Sequence, residues 1–571
     1  MTINEQQDAI IDEFADMDDW MDRYQLLIDM GNELEALDEK YKTTQNLIDG
    51  CQSRVWVQCD YRDGRLYFQA DSDALIVKGI IALLIQVLSG HTPAEILDTD
   101  LYFIDRIGLR DHLSPTRSNG LLAMIKQIKA YALAYKTKGG GMMRTLGIVL
   151  LWFCCTLGWA QTADERAGEY INQRQWFALQ DLCATDSAQM SPFIRLFAQS
   201  MTAQMFNRPA EANERILALI RQHQGQMGFA NVYNMMLLLI DNYSRMGDNA
   251  AAASAARRFA TQIDGKVPAD NVAPIRAKER LYTALQAYDL YSTDTLDHTV
   301  PMAYTQIADS TQGLITLRGS VNKRRADFIF DTGASYNVIT PELARRYGLR
   351  LLDDSIQAQG TRSGGGQMAI ADDITLGDVH LRNVPFAVLD IGAGNERIRH
   401  TVGRISLIIG QPLLRQYGRY TIDLTNSTLH LYHHSARRPV RSNAYLDGVL
   451  YAEITQDGHH MPIVLDTGAD KTTLGKAYYK DFSALVARKG KGKWTIEGAS
   501  GFGGIVYNSV FRLPQIAMQV GGRPFTLRNV SVAALSTGNG LTENYGRLGM
   551  DFVRLWQQVT VDNTNMTIEV K

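Results

Sequence analysis

The sequence predicts a multidomain chain: an α+β domain, one signal or transmembrane segment, an all-α helical-repeat-like spacer, and an all-β unit of two lobes. Three observations predict it. The first 138 residues mix helical and strand periodicity, with a hairpin signal between two strand-like runs. A run of sixteen uncharged residues, Thr145 to Ala160, then interrupts the chain. Past a helical stretch, the Asp-Thr-Gly tripeptide occurs twice, each time after an apolar strand and before a matching apolar-Gly run. The boundaries read as 1–138, 139–161, 162–300, 301–437 and 438–571.

A chain of 571 residues accommodates three to five domains. Its formal charge of −3 hides an asymmetry. Residues 1–138 carry 14 Lys and Arg against 23 Asp and Glu, and the remainder carries 44 against 38. Neither part has the basic stripe of a nucleic-acid binder, so no nucleic-acid partner is expected. The cysteines are Cys51, Cys59, Cys154, Cys155 and Cys183. Two lie in the apolar run, which leaves Cys183 alone in the part that follows and excludes an internal disulfide there. His433-His434 and His459-His460 are adjacent pairs rather than the i, i+4 pairs that converge on a metal, so no metal site is expected.

In the first domain, Ile10, Phe14, Met17, Met21, Tyr24, Leu27 and Ile28 recur at helical spacing, and a second helix is expected over 32–41. Residues 46–53 read as a loop, 54–59 and 65–69 as strands joined at Arg62-Asp63-Gly64, and 74–88 and 121–135 as helices. Cys51 falls on the loop and Cys59 in a strand. A loop thiol can meet another protein and a buried one cannot. On these features Cys51 could be either a reactive or a core thiol.

Three segments bear on that choice. They are Ile48-Asp49-Gly50-Cys51-Gln52-Ser53-Arg54-Val55-Trp56; Ala70-Asp71-Ser72-Asp73-Ala74 with Lys78-Gly79; and His112-Leu113-Ser114-Pro115-Thr116-Arg117-Ser118-Asn119-Gly120. Together they make residues 10–136 resemble the SufE family, sulfur acceptors of iron–sulfur cluster assembly. The resemblance implies that Cys51 accepts sulfane sulfur from the persulfide of a cysteine desulfurase. The pyridoxal phosphate of that reaction belongs to the partner, and this chain is expected to bind no cofactor of its own.

Gly139-Gly140-Gly141 is a flexible link. Arg144, the uncharged run 145–160 and the exit Gly158-Trp159-Ala160 follow the order of a secretory signal, and a buried core helix is the alternative. Lys136, Lys138 and Arg144 precede the run while Asp164 and Glu165 follow it, so the first domain is expected in the cytoplasm and the rest exported, cleaved or anchored by residues 145–160. Helices are expected at 193–206, 210–221, 232–245 and 250–259. The entry turns Asn207-Arg208-Pro209-Ala210 and Gly247-Asp248-Asn249-Ala250 resemble those of tetratricopeptide-type repeats; a plain helical bundle is the alternative.

The last two regions repeat one another. Phe328-Ile329-Phe330 leads into Asp331-Thr332-Gly333, and Ile463-Val464-Leu465 into Asp466-Thr467-Gly468. Leu407-Ile408-Ile409-Gly410 has its counterpart in Arg547-Leu548-Gly549, and Thr421-Ile422-Asp423 with Asn426 in Thr560-Val561-Asp562 with Asn565. Two carboxylates facing one another across a water share one proton, which supplies a base and an acid together. Glycines at 364–366 and 498–504 fall where two flaps would lie. Residues 303–571 resemble retropepsin-like aspartic proteases with both halves in one chain. The resemblance implies Asp331 and Asp466 as the catalytic dyad, Thr332, Gly333, Thr467 and Gly468 as supporting residues, and a peptide or protein as substrate. It supplies no flap motif and no specificity. Rival readings are a β unit that binds peptides without cutting them, and two adjacent reading frames joined, with a second start at Met142 or Met143.

Overall fold

The computed structural model describes residues 2–48, 54–109, 121–132, 162–306, 313–359, 363–390, 407–435, 441–489, 495–501, 504–536 and 544–571, apart from positions 16, 18, 19, 36, 44, 45, 122, 126 and 130. These form two compact units, divided at Trp159 and Ala160.

In the first unit, helices Ile3–Ala15 and Trp20–Glu33 precede a two-stranded sheet, Val55–Arg62 with Arg65–Ser72. The hairpin turns on two residues with positive φ, Asp63 (51°) and Gly64 (78°), as Asp-Gly favours. One face of the sheet buries Val55, Val57, Leu66, Phe68 and Ala70 against helix Leu75–Leu88 and the helical residues Leu121, Met124 and Ile128. Glycine sets the closest helix contact. A Cβ on Gly79 would overlap the Leu27 carbonyl, and one on Gly31 would lie 2.8 Å from the Gly79 nitrogen, so helices Trp20–Glu33 and Leu75–Leu88 meet backbone to backbone.

Two helical expectations are corrected. The periodic run from Ile10 to Ile28 is two helices, Ile3–Ala15 and Trp20–Glu33, and the Met17 carbonyl between them accepts from Arg23 Nε at 3.0 Å instead of continuing a helix. The helix expected over 32–41 is not formed: helix Trp20–Glu33 ends there, and among the described residues that follow only the 3₁₀ turn Glu39–Tyr41 is helical. There the Asp38 carboxylate accepts from the Lys40 backbone N–H at 3.2 Å, a local bond that competes with helix.

The second unit joins helices and sheets. The helices that precede its sheets are Ala163–Asn172, Trp176–Thr185, Pro192–Met205, Pro209–Arg245 with a kink at His223 and Gly228, Asn249–Ile263 and Ala269–Leu285. Three entry turns share one conformation, with positive φ at Arg174, Asn207 and Gly247 followed by caps at Gln175, Arg208 and Asp248. This layer is packed onto the sheets rather than held apart as a spacer. Phe177 and Phe206 lie 5.2 and 6.5 Å from the Tyr445 ring, which stacks on Tyr451 at 4.7 Å. Arg441 donates to both Asp181 oxygens, at 2.6 and 2.9 Å, and to the buried Glu453, which ties helix Trp176–Thr185 to a strand. Trp176, Phe177, Leu179 and Leu182 of helix Trp176–Thr185 are thereby buried in one core with the strands.

The sheets repeat as the sequence does. Strands Leu314–Val321, Arg324–Phe330, Val338–Ile339, Arg350–Gln359, Ser363–Leu376, Val379–Val388 and Leu407–Ile409 recur as Val449–Gln456, His459–Leu465, Thr473–Leu474, Thr495–Gly501, Gly504–Val520, Arg523–Ser536 and Gly546–Leu548. Each copy closes on itself through an extra pairing, Leu314–Val321 with Ser363–Leu376 and Val449–Gln456 with Gly504–Val520. Arg419–Asp423 pairs antiparallel with Gln558–Asp562 between the copies, and Thr421 meets Thr560 at 2.9 Å across that pairing. Asp423 and Asp562 accept from the backbone N–H groups of Asn426 and Asn565, so this repeated motif caps turns.

Among the described residues no helix is long and apolar enough to cross a membrane. The run 145–160, which carries the signal and membrane expectation, lies outside the described residues.

Candidate active site

In each copy the strand ahead of Asp-Thr-Gly is central. Ile329 and Phe330 pair in parallel with Ile408 and Ile409; Val464 and Leu465 pair likewise with Arg547 and Leu548. The Asp331 and Asp466 backbone N–H groups donate to the Ile409 and Leu548 carbonyls, both at 2.9 Å. Each loop is thereby fixed to its own barrel before it meets the other.

The threonines join the two loops. Thr332 N–H donates to Thr467 Oγ1 at 3.0 Å, and Thr467 N–H to Thr332 Oγ1 at 3.1 Å. Each hydroxyl then donates across to the other strand, Thr332 to the Leu465 carbonyl at 2.6 Å and Thr467 to the Phe330 carbonyl at 2.8 Å. Both threonines are fully buried, where such a reciprocal network is strongest. Gly333 and Gly468 donate their N–H groups to Asp331 Oδ1 at 2.8 Å and Asp466 Oδ1 at 3.0 Å. A Cβ on Gly333 would lie 2.5 Å from the Asp466 carboxyl carbon, and one on Gly468 would overlap the Asp331 carboxyl. The two carboxylates therefore face one another across the two glycines, and no larger residue fits at either.

Burial, and then the neighbouring Asp466 charge, push the Asp331 carboxyl up to about 8. Arg547 Nη1 donates to Asp466 Oδ2 at 3.2 Å, and Asp466 is itself only 5% exposed. Arg547 is a site residue the sequence reading passed over. The signal was there: it stands where the first copy has Ile408, and a charge in an otherwise apolar element invites a partner. Asn337 and Thr472 were also missed. Their side chains accept the N–H of Gly410 at 3.0 Å and of Gly549 at 3.1 Å, which holds the apolar-Gly elements against the loops.

The glycines at 364–366 and 498–504 lie in equivalent hairpins, Arg350–Gln359 with Ser363–Leu376 and Thr495–Gly501 with Gly504–Val520. Their turns at 360–362 and 502–503 are outside the described residues.

In the first unit, Cys51 and the segment 112–120 lie outside the described residues. The ends of the Cys51 segment are held together. Ile48 N–H donates to the Val55 carbonyl and Val57 N–H to the Asn46 carbonyl, both at 2.8 Å. Asp73 accepts from the Arg54 backbone and side chain at 2.9 and 3.0 Å. Asp71 bridges Lys42 at 3.0 Å and Lys78 at 3.1 Å; burial opposes its ionisation, and the two lysines outweigh that and hold its carboxyl below the usual range. Cys59 is buried, and burial first and Asp60 second push its thiol up to about 12.

Comparison with known proteins follows the same division. Residues 8–132 match the SufE model, described as an Fe-S metabolism associated domain, and 317–413 match an aspartyl protease model. The chain is 42% identical over 130 residues to an uncharacterized SufE-like protein of Rhizobium meliloti, covering 22% of this chain and 93% of that one. It is 39% identical over 127 residues to another from Synechocystis, covering 22% and 80%. A retropepsin-like aspartic protease structure from Rickettsia conorii aligns at 18% identity over 25% of this chain and 94% of that one, with a TM-score of 0.16. Through residues 8–132 the chain belongs to the SufE family, and residues 317–413 of its second unit match the aspartyl protease model.

Proposed function

We propose that the second unit is an aspartic endopeptidase with its whole active site in one chain. The observation that carries this reading is the reciprocal Thr332–Thr467 bonding, which sets Asp331 against Asp466. Arg547 marks Asp466 as the ionised member and the raised Asp331 as the proton holder. Asp466 takes a proton from water as its oxygen bonds to the peptide carbon, and Asp331 gives its proton to the carbonyl oxygen. On collapse the C–N bond breaks, the leaving nitrogen takes the proton from Asp466, and a hydroxyl proton returns to Asp331. Asp331→Asn or Asp466→Asn alone is expected to remove peptidase activity while the chain still folds. Full activity in either would reject the assignment in favour of a peptide-binding unit.

For the first unit the reading is sulfur transfer. The Cys51 thiolate attacks the outer sulfur of a desulfurase persulfide, a new S–S bond forms on Cys51, and the partner's cysteine leaves as thiolate. The buried Cys59, with its raised thiol, is unsuited to that attack. Cys51→Ser should abolish stimulation of a cysteine desulfurase and Cys59→Ser should not; persulfide on Cys59 would sink the reading.

A further inference from the structure

We propose that Asp294, His298 and His433 form a binding site for one divalent transition-metal ion of the zinc class. One ligand atom from each lies within 4.8 Å of the others. The three come from different places: Asp294 from the segment after the last helix of the helical layer, His298 from the first residue of strand His298–Thr305, and His433 from just past strand Thr428–Tyr432. No sequence spacing joins 294 and 298 to 433, which is why the site is invisible before folding.

His298 and Asp294 already touch through a hydrogen bond, and among the described residues His433 Nε2 is left without a partner beside them. His298 is 5% exposed, with Nε2 2.8 Å from Asp294 Oδ1 and Nδ1 3.4 Å from Asp378 Oδ2. With its proton on Nδ1 toward Asp378, the ring aims a lone pair at the Asp294 oxygen, and a cation belongs between them. That is the arrangement in which a second carboxylate orients a metal-bound imidazole. A proton on Nε2 would serve His298 and Asp294 but not the third group. His433 Nε2 is buried without a hydrogen-bond partner among the described residues. Tyr417 is fully buried, with its ring 5.0 Å from that of His433 and its hydroxyl beside Thr293. The His433 N–H donates to Asp297 Oδ1 at 3.1 Å, which fixes the backbone that carries the ring next to His298. Two imidazoles and a carboxylate suit zinc and its neighbours rather than calcium or magnesium. Zinc–nitrogen distances of about 2.0–2.1 Å put tetrahedral ligands roughly 3.3 Å apart, so side-chain shifts of about 1 Å close the site. The fourth position is left to water.

The test uses the full chain carrying Cys51→Ser, which removes a competing thiol. It is stripped with a chelator and titrated with zinc chloride by calorimetry. One zinc per chain is expected. Asp294→Asn and His433→Gln should each weaken it at least tenfold, and His434→Ala should leave it unchanged. Asp294 is about half exposed, so its variant folds, and circular dichroism checks all three. Zinc should also raise the unfolding midpoint of the parent chain and of His434→Ala only. Absence of one-to-one binding would overturn the site. So would equal binding by Asp294→Asn and His433→Gln, which would place the zinc elsewhere and leave His298 as a protonated ion-pair partner.

Discussion

Asp331 holds a proton because burial and the Asp466 charge keep its carboxyl neutral up to about 8. The single-proton state of the pair therefore extends to about that pH, and peptidase activity should fall as pH rises through it. Stability carries the same sign. The contribution of a raised carboxyl is complete below its ordinary value of 3.8 and is lost as pH climbs toward about 8. Arg547→Met takes the positive charge from Asp466, so the acidic limb of the rate profile should move to higher pH. A profile unmoved by Arg547→Met would leave the arginine a purely structural role. Residues were legible in the sequence where the chemistry was doubled. The two Asp-Thr-Gly loops declared themselves by identical repetition, whereas Arg547 stands in one copy alone, and Asn337 and Thr472 hold Gly410 and Gly549 from matching positions with unlike side chains. The ligands of the proposed metal site lie more than 130 positions apart, at His298 and His433, and only the fold brings them together.

At the scale of elements, periodicity located most helices and the hairpin, because burial on one face imposes it. Asp63-Gly64 could be read directly, since a two-residue turn needs positive φ at both positions. What failed was the extent of helices near acidic residues, where side chains compete for the backbone, as Asp38 does with Lys40. Gly79 had been read only as part of a motif, and its physical role is the close crossing of two helices. Gly79→Ala should cost the first unit about 1–3 kcal/mol, the range for overpacking a tight contact. Thermal unfolding of residues 1–138 within the full chain checks this; a change below about 0.5 kcal/mol would mean that the crossing gives way freely.

The whole molecule divides into two compact units between Trp159 and Ala160, at the end of the uncharged run. From that run and the charges on either side, export of the second unit is the expectation. Protease added to intact spheroplasts should then digest residues after 161 and spare the first unit, and protection of both would refute it. The docking of the helical layer on the β unit was not legible, because the aromatic contacts of Phe177 and Phe206 with Tyr445 span more than 230 positions. The central claim is that Asp331 and Asp466 of the same chain make one site. Mixing Asp331→Asn with Asp466→Asn measures it most directly. Each chain carries half of one dyad, so the mixture should be as inactive as either variant alone. Recovery of peptidase activity on mixing would show that sites assemble between chains and would contradict the account.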